Sequence, residues 1–227
     1  MINPSTPSVG LAVLHLFCKV APLAERSEIL AALDRSTERG DQVVVASMLG
    51  HKADVAVMAL STDQWNLRSL QTDLAAAGLE VVDSYVSLTE ISEYAAGVPE
   101  EMRNARLYPQ LPPDDKQVFC FYPMSKKREG DANWFTEEFD RRKELMYEHG
   151  ASGRKFKGRV LQVITGSTGL DDYEWGVTLF CVNPDDVKDV VYTMRFDEAS
   201  ARYGIFGPFY VGMVADPAEV LTTVGVS

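Results

Sequence analysis

One order of hydrophobic periodicities occurs twice in this chain, and that repetition limits the folds open to it more than any other feature. In the first half an apolar run over 10–20 is followed by an amphipathic stretch over 21–38 and two β-type runs at 42–48 and 54–60. Ser61, Thr62 and Asp63 form a helix N-terminus, the helix runs to Ala77 and Gly78 closes it, and a strand over 79–89 completes a β-α-β-β-α-β unit. The segment 90–116 reads as an irregular linker spaced by Pro99, Pro109, Pro112 and Pro113. The same order then returns as strand 117–126, helix 135–148, strands 158–165 and 173–181, helix 184–195 and strand 201–212. The expected fold class is therefore α+β, with two ferredoxin-like units forming a dimeric α+β barrel within one subunit. The expected division is a first half at 1–89, a linker at 90–116 and a second half at 117–227. A cavity is expected between the sheet of one half and its helices.

Composition narrows the function classes. The chain has 227 residues, 46% of them hydrophobic and 24% charged, the profile of a globular protein able to bury a core. No apolar run approaches the roughly 20 residues of a membrane helix, and Met1 to Ser8 lacks the pattern of a signal peptide, so the chain is expected to be cytoplasmic. A net charge of −11 argues against nucleic acid as a partner. Cys18, Cys120 and Cys181 lie in apolar stretches outside any metal-ligand spacing and read as buried thiols. The stretch from Tyr122 to Arg159 is nevertheless locally basic, with ten lysines and arginines against seven acids, which suggests an anion to bind. Solvated Glu/Arg pairs account for 137–148 but less well for Lys126, Lys127, Arg154, Lys155 and Arg159.

Of the three histidines, His15 lies in an apolar strand and His51 in a Gly-His-Lys turn. His149 follows Phe135, Phe139 and Met146 at near-helical spacing, which places its ring on a buried face, and Gly150 is expected to end the helix. A buried imidazole with no carboxylate on its own face is either a satisfied core residue or a metal ligand. In the preceding strand, alternation puts Val118, Cys120, Tyr122, Met124 and Lys126 on one face, and Pro123 suggests an edge or a strand end.

Six ordered segments resemble the coproheme decarboxylases of the chlorite dismutase superfamily. They are CFYPMSKKR at 120–128, MYEHGASGR at 146–154, QVITGS at 162–167, DDYEWGVTLF at 171–180, MRFDEASAR at 194–202 and FGPFYVG at 206–212. The resemblance spans most of 106–212. It implies two ferredoxin-like halves with the porphyrin in the second, assembled as a homopentamer. It further implies that His149 is the proximal iron ligand, Tyr122 the redox-active residue and Lys126 the partner of the second reacting propionate. Met124 would pack near the porphyrin, Gln162 would line the distal side, and Arg154, Arg195, Ser200 and, on a weaker match, Arg106 would contact propionates. The implied substrate, iron-coproporphyrin III, serves as its own cofactor: hydrogen peroxide drives oxidation of two propionates to vinyl groups, a Tyr122 radical takes hydrogen from the β-carbon, and haem b results. The actinobacterial branch places a distal histidine before its Arg-Leu-Tyr-Pro motif, whereas here Asn104 and Ala105 precede Arg106. Rival readings are a non-catalytic haem or coproheme carrier, a chlorite dismutase, which would need a distal arginine where Gln162 stands, and a cofactor-free α+β barrel enzyme.

Overall fold

The computed structural model describes residues 3–95 and 97–227. The first half comprises β1 (Ala12–Val20), α1 (Arg26–Glu38), β2 (Gln42–Met48), β3 (Val55–Ser61), α2 (Gln64–Ala76) and β4 (Leu79–Thr89). Asp63 caps α2 by accepting from the Trp65 N–H, and Gly78 takes φ +97°, a left-handed conformation that a residue with a Cβ rarely adopts.

The segment after β4 is not wholly irregular. It holds α3 (Glu100–Leu107), an eight-residue helix with two acids in its first turn and a single buried residue, Leu107. A helix this short with one apolar anchor leaves almost no periodic signal.

The second half runs β5 (Val118–Lys126), a small ribbon of β6 (Arg128–Glu129) and β7 (Ala132–Asn133), α4 (Phe139–Arg154), β8 (Val160–Gly166), β9 (Trp175–Cys181), α5 (Pro184–Met194), α6 (Glu198–Ala201), β10 (Gly204–Phe206), β11 (Tyr210–Val214) and α7 (Pro217–Thr223). The strand expected over 201–212 is thus broken: 198–201 is helical and β10 and β11 are separated at Gly207. Helix α4 starts four residues later than expected and continues past Gly150 to Arg154. Phe135 lies in a short 3-10 turn before it, and both Phe135 and Phe139 are exposed.

Hydrogen bonding closes the sheet on itself. Strand order is β10-β5-β11-β2-β3-β1-β4-β8-β9, with β9 also pairing β5. The halves join where β4 meets β8, at Leu88–Gly166 and Thr89–Thr165, and where β11 meets β2, at Gly212–Met48 to Val214–Ala46. Strand β5 is flanked on both sides, so the expectation of an edge at Pro123 is corrected. The Pro123 carbonyl accepts from the Gly207 N–H, so its donor-less nitrogen faces the break between β10 and β11, where a ladder bond is not needed.

Alternation then separates three cores on the sheet faces, and a fourth cluster of Trp134, Leu145, Ala199 and Tyr203 packs beside α4. Val13, Phe17, Val44, Met58, Leu60, Tyr85, Phe119, Phe121, Val163, Phe180 and Tyr210 fill the barrel interior. Leu14, Leu16, Val57, Leu70 and Leu74 pack the outer face of the first half beneath α1 and α2. Cys120, Tyr122, Val177, Leu179, Val190 and Met194 do the same beneath the helices of the second. All three cysteines are buried and free, and His51 is exposed.

His15 projects into the barrel interior, its ring centroid 4.4 Å from that of Phe121 and its Nε2 2.9 Å from Thr178 Oγ1 across the two halves. Burial lowers its pKa from 6.5 to about 3. An unfolded chain takes a proton at His15 below pH 6.5 while the folded chain resists it until about pH 3, so this site contributes stability above 6.5 that is lost as the pH falls. Unfolding free energy should therefore drop by up to about 1.4 kcal/mol per pH unit between 6.5 and 3 from this group. Urea titrations of the wild type and His15→Gln at pH 7 and pH 5 should show a smaller loss in the variant; equal losses would remove His15 from the account.

Candidate functional site

The register places four candidate residues on one surface. Tyr122 and Met124 of β5 lie opposite Val177 and Trp175 of β9, and Gln162 of β8 lies opposite Leu179, so all of these side chains leave the sheet toward α4 and α5. Tyr122 is buried, stacks on Phe209 with centroids 4.5 Å apart, and makes no hydrogen bond among the described residues. Burial pushes its phenol pKa up, so the ring stays neutral and keeps its O–H hydrogen.

Lys126, at the end of the same face, is 5% exposed. Its ammonium donates to the Ala199 carbonyl at 2.6 Å and lies 4.7 Å from the Trp134 ring centroid. Burial lowers its pKa to about 8, against an opposing pull from the Glu174 carboxylate. A lysine so placed can lose its proton near neutrality.

His149 sits on α4 in line with Leu145 and Ser152, the buried residues of that helix, and its side chain is 19% exposed. Its Nδ1 lies 3.1 Å from Asp197 Oδ2, while the Ser152 hydroxyl donates to Asp197 Oδ1 at 2.7 Å and Ser200 Oγ lies 3.4 Å from Nδ1. A carboxylate therefore does face His149. It comes from the turn between α5 and α6, where no periodicity of α4 can reveal it. Burial and the nearby Lys126 charge lower the His149 pKa, and Asp197 opposes them. The result is a neutral imidazole with Nδ1 anchored and Nε2 without a hydrogen bond among the described residues. That is the arrangement of an axial ligand whose basicity a second residue sets. A porphyrin supplies four nitrogens of its own, so one such imidazole suffices, and the donor set fits an iron porphyrin.

The remaining predicted residues come from different elements. Arg154 is exposed at the end of α4, its guanidinium 5.6 Å from the Tyr147 ring centroid; Arg195 is exposed after α5, 5.9 Å from that of Tyr192. Arg106 is exposed on α3. None of the three makes an ion pair among the described residues, which leaves each able to bind an external carboxylate. Ser200, in contrast, is buried beside His149. Arg159, one of the cations expected to seek an anion, is paired with Asp186 and Asp189 of α5.

Asp197 and Ser152 fall within two of the six family-like segments, yet only the fold shows that they meet. Phe209 and Trp175 also lie within such segments, but Trp134 and the Trp175 contact with Glu90, a 3.2 Å hydrogen bond from indole to carboxyl, have no signal in the sequence.

The family model described as chlorite dismutase matches residues 23–215. The chain belongs to the chlorite dismutase family. Within it, the chain is 45% identical over 201 residues to the coproheme decarboxylase of Staphylococcus carnosus, covering 83% of this chain and 78% of that one. It is 40% identical to a protein of Natronomonas pharaonis whose name proposes haem binding, over 96% of this chain but 41% of that longer protein. A haem-binding protein of Thermus thermophilus superposes with a TM-score of 0.85 at 35% identity over 99% of both chains. The chlorite dismutase of Candidatus Nitrospira defluvii superposes at 0.76 over 96% of both, and at 17% identity that shared geometry speaks for the fold alone. No helix among the described residues is long and apolar enough to cross a membrane.

Asp197→Ala leaves the Ser152 hydroxyl and His149 Nδ1 without their shared partner. Stability should fall by about 1–3 kcal/mol, the cost of unsatisfied buried groups. Urea unfolding of the apo-protein measures this, and an unchanged midpoint would mean that the cluster is not held as described.

Proposed function

We propose that this member of the chlorite dismutase family is a peroxide-dependent coproheme decarboxylase, converting two propionates of iron-coproporphyrin III into the vinyl groups of haem b. The observation that carries the reading is the shared face of Tyr122, Met124 and Lys126 beside a carboxylate-anchored His149, in a chain 45% identical to a named coproheme decarboxylase. A pure carrier has no use for a phenol and a lysine aligned on the face beside the anchored imidazole. A chlorite dismutase reading lacks the distal arginine, since Gln162 stands there.

Each turnover balances as one propionate carboxylate, one hydrogen peroxide and one proton giving a vinyl group, carbon dioxide and two waters. The iron porphyrin is the substrate and supplies its own redox chemistry. His149 Nε2 binds the iron, with Asp197 holding the ring in one orientation. Tyr122, neutral and without a competing hydrogen bond, gives up its O–H hydrogen and then takes one from the propionate β-carbon. Lys126 holds the second reacting carboxylate, its amine near its own pKa at neutral pH. Arg154, Arg195 and Arg106 present charge-assisted donors to the retained propionates, and Ser200, which likeness to the family also sets against a propionate, lies beside His149. By likeness to the actinobacterial branch, Ala105 of α3 stands at the position of the distal histidine base, which leaves peroxide to Gln162 and water and makes its activation slow. The assembly we propose is the ring-shaped pentamer of the family.

Tyr122→Phe keeps the ring that stacks on Phe209, so folding and coproheme binding should persist while decarboxylation falls by a factor of 100 or more, roughly the scale of losing a reacting group. Mass spectrometry of the porphyrin after excess peroxide reads this directly, and haem b formed at the wild-type rate would sink the radical role. His149→Ala should bind ferric coproporphyrin with an altered Soret band; an unaltered band means another residue binds the iron. Lys126→Ala should let a three-propionate intermediate accumulate, and two-step loss at wild-type rates would leave Lys126 without its proposed part.

A further inference from the structure

The sheet face that carries Tyr122 holds one more chemical feature. Trp175 is the direct cross-strand partner of Met124 on one side and of Gly166 on the other. Partners in a ladder send their side chains to the same face, so the Trp175 indole stands beside Met124, one alternation from Tyr122. Above Gly166 there is no room for even a Cβ, because the Glu90 carboxyl group fills that space. The Trp175 Nε1–H donates to Glu90 Oε1 at 3.2 Å.

Glu90 is well placed to act as a fixed point. It directly follows Thr89, whose hydroxyl accepts from the Leu11 N–H and donates to the Leu107 carbonyl, both at 2.8 Å, and whose backbone pairs with Thr165 of β8. Thr89 is thereby tied to the first half, to α3 and to the second half at once, and Glu90 follows it as an exposed residue. The carboxyl end packs between Gly166 and the indole, and desolvation there raises its pKa despite the hydrogen bond. Beside it opens a cavity of about 380 Å³, lined also by Arg103 and Leu107 of α3 and by Thr168 and Leu170.

We infer that Glu90 is a positioning residue: by accepting the Trp175 indole N–H it holds that ring in place beside Met124 on the Tyr122 face, so that a porphyrin edge finds a fixed aromatic border there. The inference rests on the function proposed above. An indole released from Glu90 is free to swing across Met124 into the space the porphyrin edge would take. The group that matters is the acceptor oxygen, which a glutamine carbonyl also supplies; a leucine of similar size does not.

The test uses the full chain carrying Glu90→Gln, Glu90→Leu or Trp175→Phe, and the double variant Glu90→Leu/Trp175→Phe, with thermal melts to verify folding. In the apo-protein, Glu90→Leu should change the tryptophan emission that Trp175→Phe removes, and Glu90→Gln should not. Soret titration with ferric coproporphyrin should show Glu90→Leu binding roughly three- to tenfold more weakly, the scale of one hydrogen bond, while kcat for decarboxylation changes less than KM. Glu90→Gln should bind like wild type, and Glu90→Leu should have no further effect once Trp175 is Phe. Wild-type affinity in Glu90→Leu overturns the inference. So does equal impairment of Glu90→Gln, which would show that the charge and not the acceptor matters, and so does an undiminished effect in the double variant. Should Glu90→Leu not fold, Glu90→Ala takes its place in the same comparison. Failure of the wild type itself to shift the Soret band would fell the proposed function instead, and the apo emission of the Glu90 variants would still decide whether the clamp exists.

Discussion

The first half of this chain supplies four strands and the second five, both sheets bury side chains on their two faces, and neither half has helices enough to cover more than one of them. Everything else follows from how the second faces are hidden. Pairing β4 with β8 and β11 with β2 rolls the two sheets into one closed barrel, which buries both inner faces against each other and removes the strand edges at the same time. The outer faces then remain for the helices, and the candidate site lies on one of them. The His15–Thr178 hydrogen bond crosses the interior between the halves, in a place where only a neutral imidazole is tolerated.

On the outer face of the second half, sheet and helix contribute different chemistry. The sheet sets spacing: residues two apart on β5 and their partners on β9 and β8 form a regular grid, so Tyr122, Met124, Trp175 and Gln162 have positions that small local movements do not alter. The helices bring the polar groups. His149 comes from α4 and Asp197 from the turn before α6, and their contact depends on the packing of α4 against α6 rather than on either element alone. Lys126 reaches from the sheet side to the Ala199 carbonyl and so ties the grid to that helical cluster.

What is legible in the residues alone follows the range of the interactions involved. The repeated element order and the alternation on β5 are local patterns, and both the barrel and the shared face of Tyr122, Met124 and Lys126 can be read from them. The start of α4 is misleading because Phe135 and Phe139 have helical spacing yet lie exposed, while the residues that anchor the helix, Leu145 and Ser152, give a weaker stripe. Helix α3 leaves no trace because one buried leucine makes no period. Asp197 escapes because it is 48 residues from His149, and no rule of spacing within one helix reaches that far. The local pattern singles out Tyr122, Met124, Lys126 and His149, while every role rests on likeness to a family, and Arg154, Arg195 and Arg106 are exposed cations with nothing local to set them apart.

The repeated element order gives two outer faces of the same construction with very different contents. Beneath α1 and α2 the grid positions hold Ala12, Leu14, Leu16, Val57 and Ala59, an aliphatic layer with one thiol, Cys18, at its end. The matching layer of the second half holds a phenol, thiols, a thioether and an ammonium group. The two layers therefore answer to different physical demands. The layer beneath α1 and α2 contributes burial alone, and the layer beneath α4 and α5 combines burial with groups that can bind and react. A homologous chain could exchange most of its first half for another aliphatic solution and keep its chemistry, so long as the seams at β4 and β2 still matched.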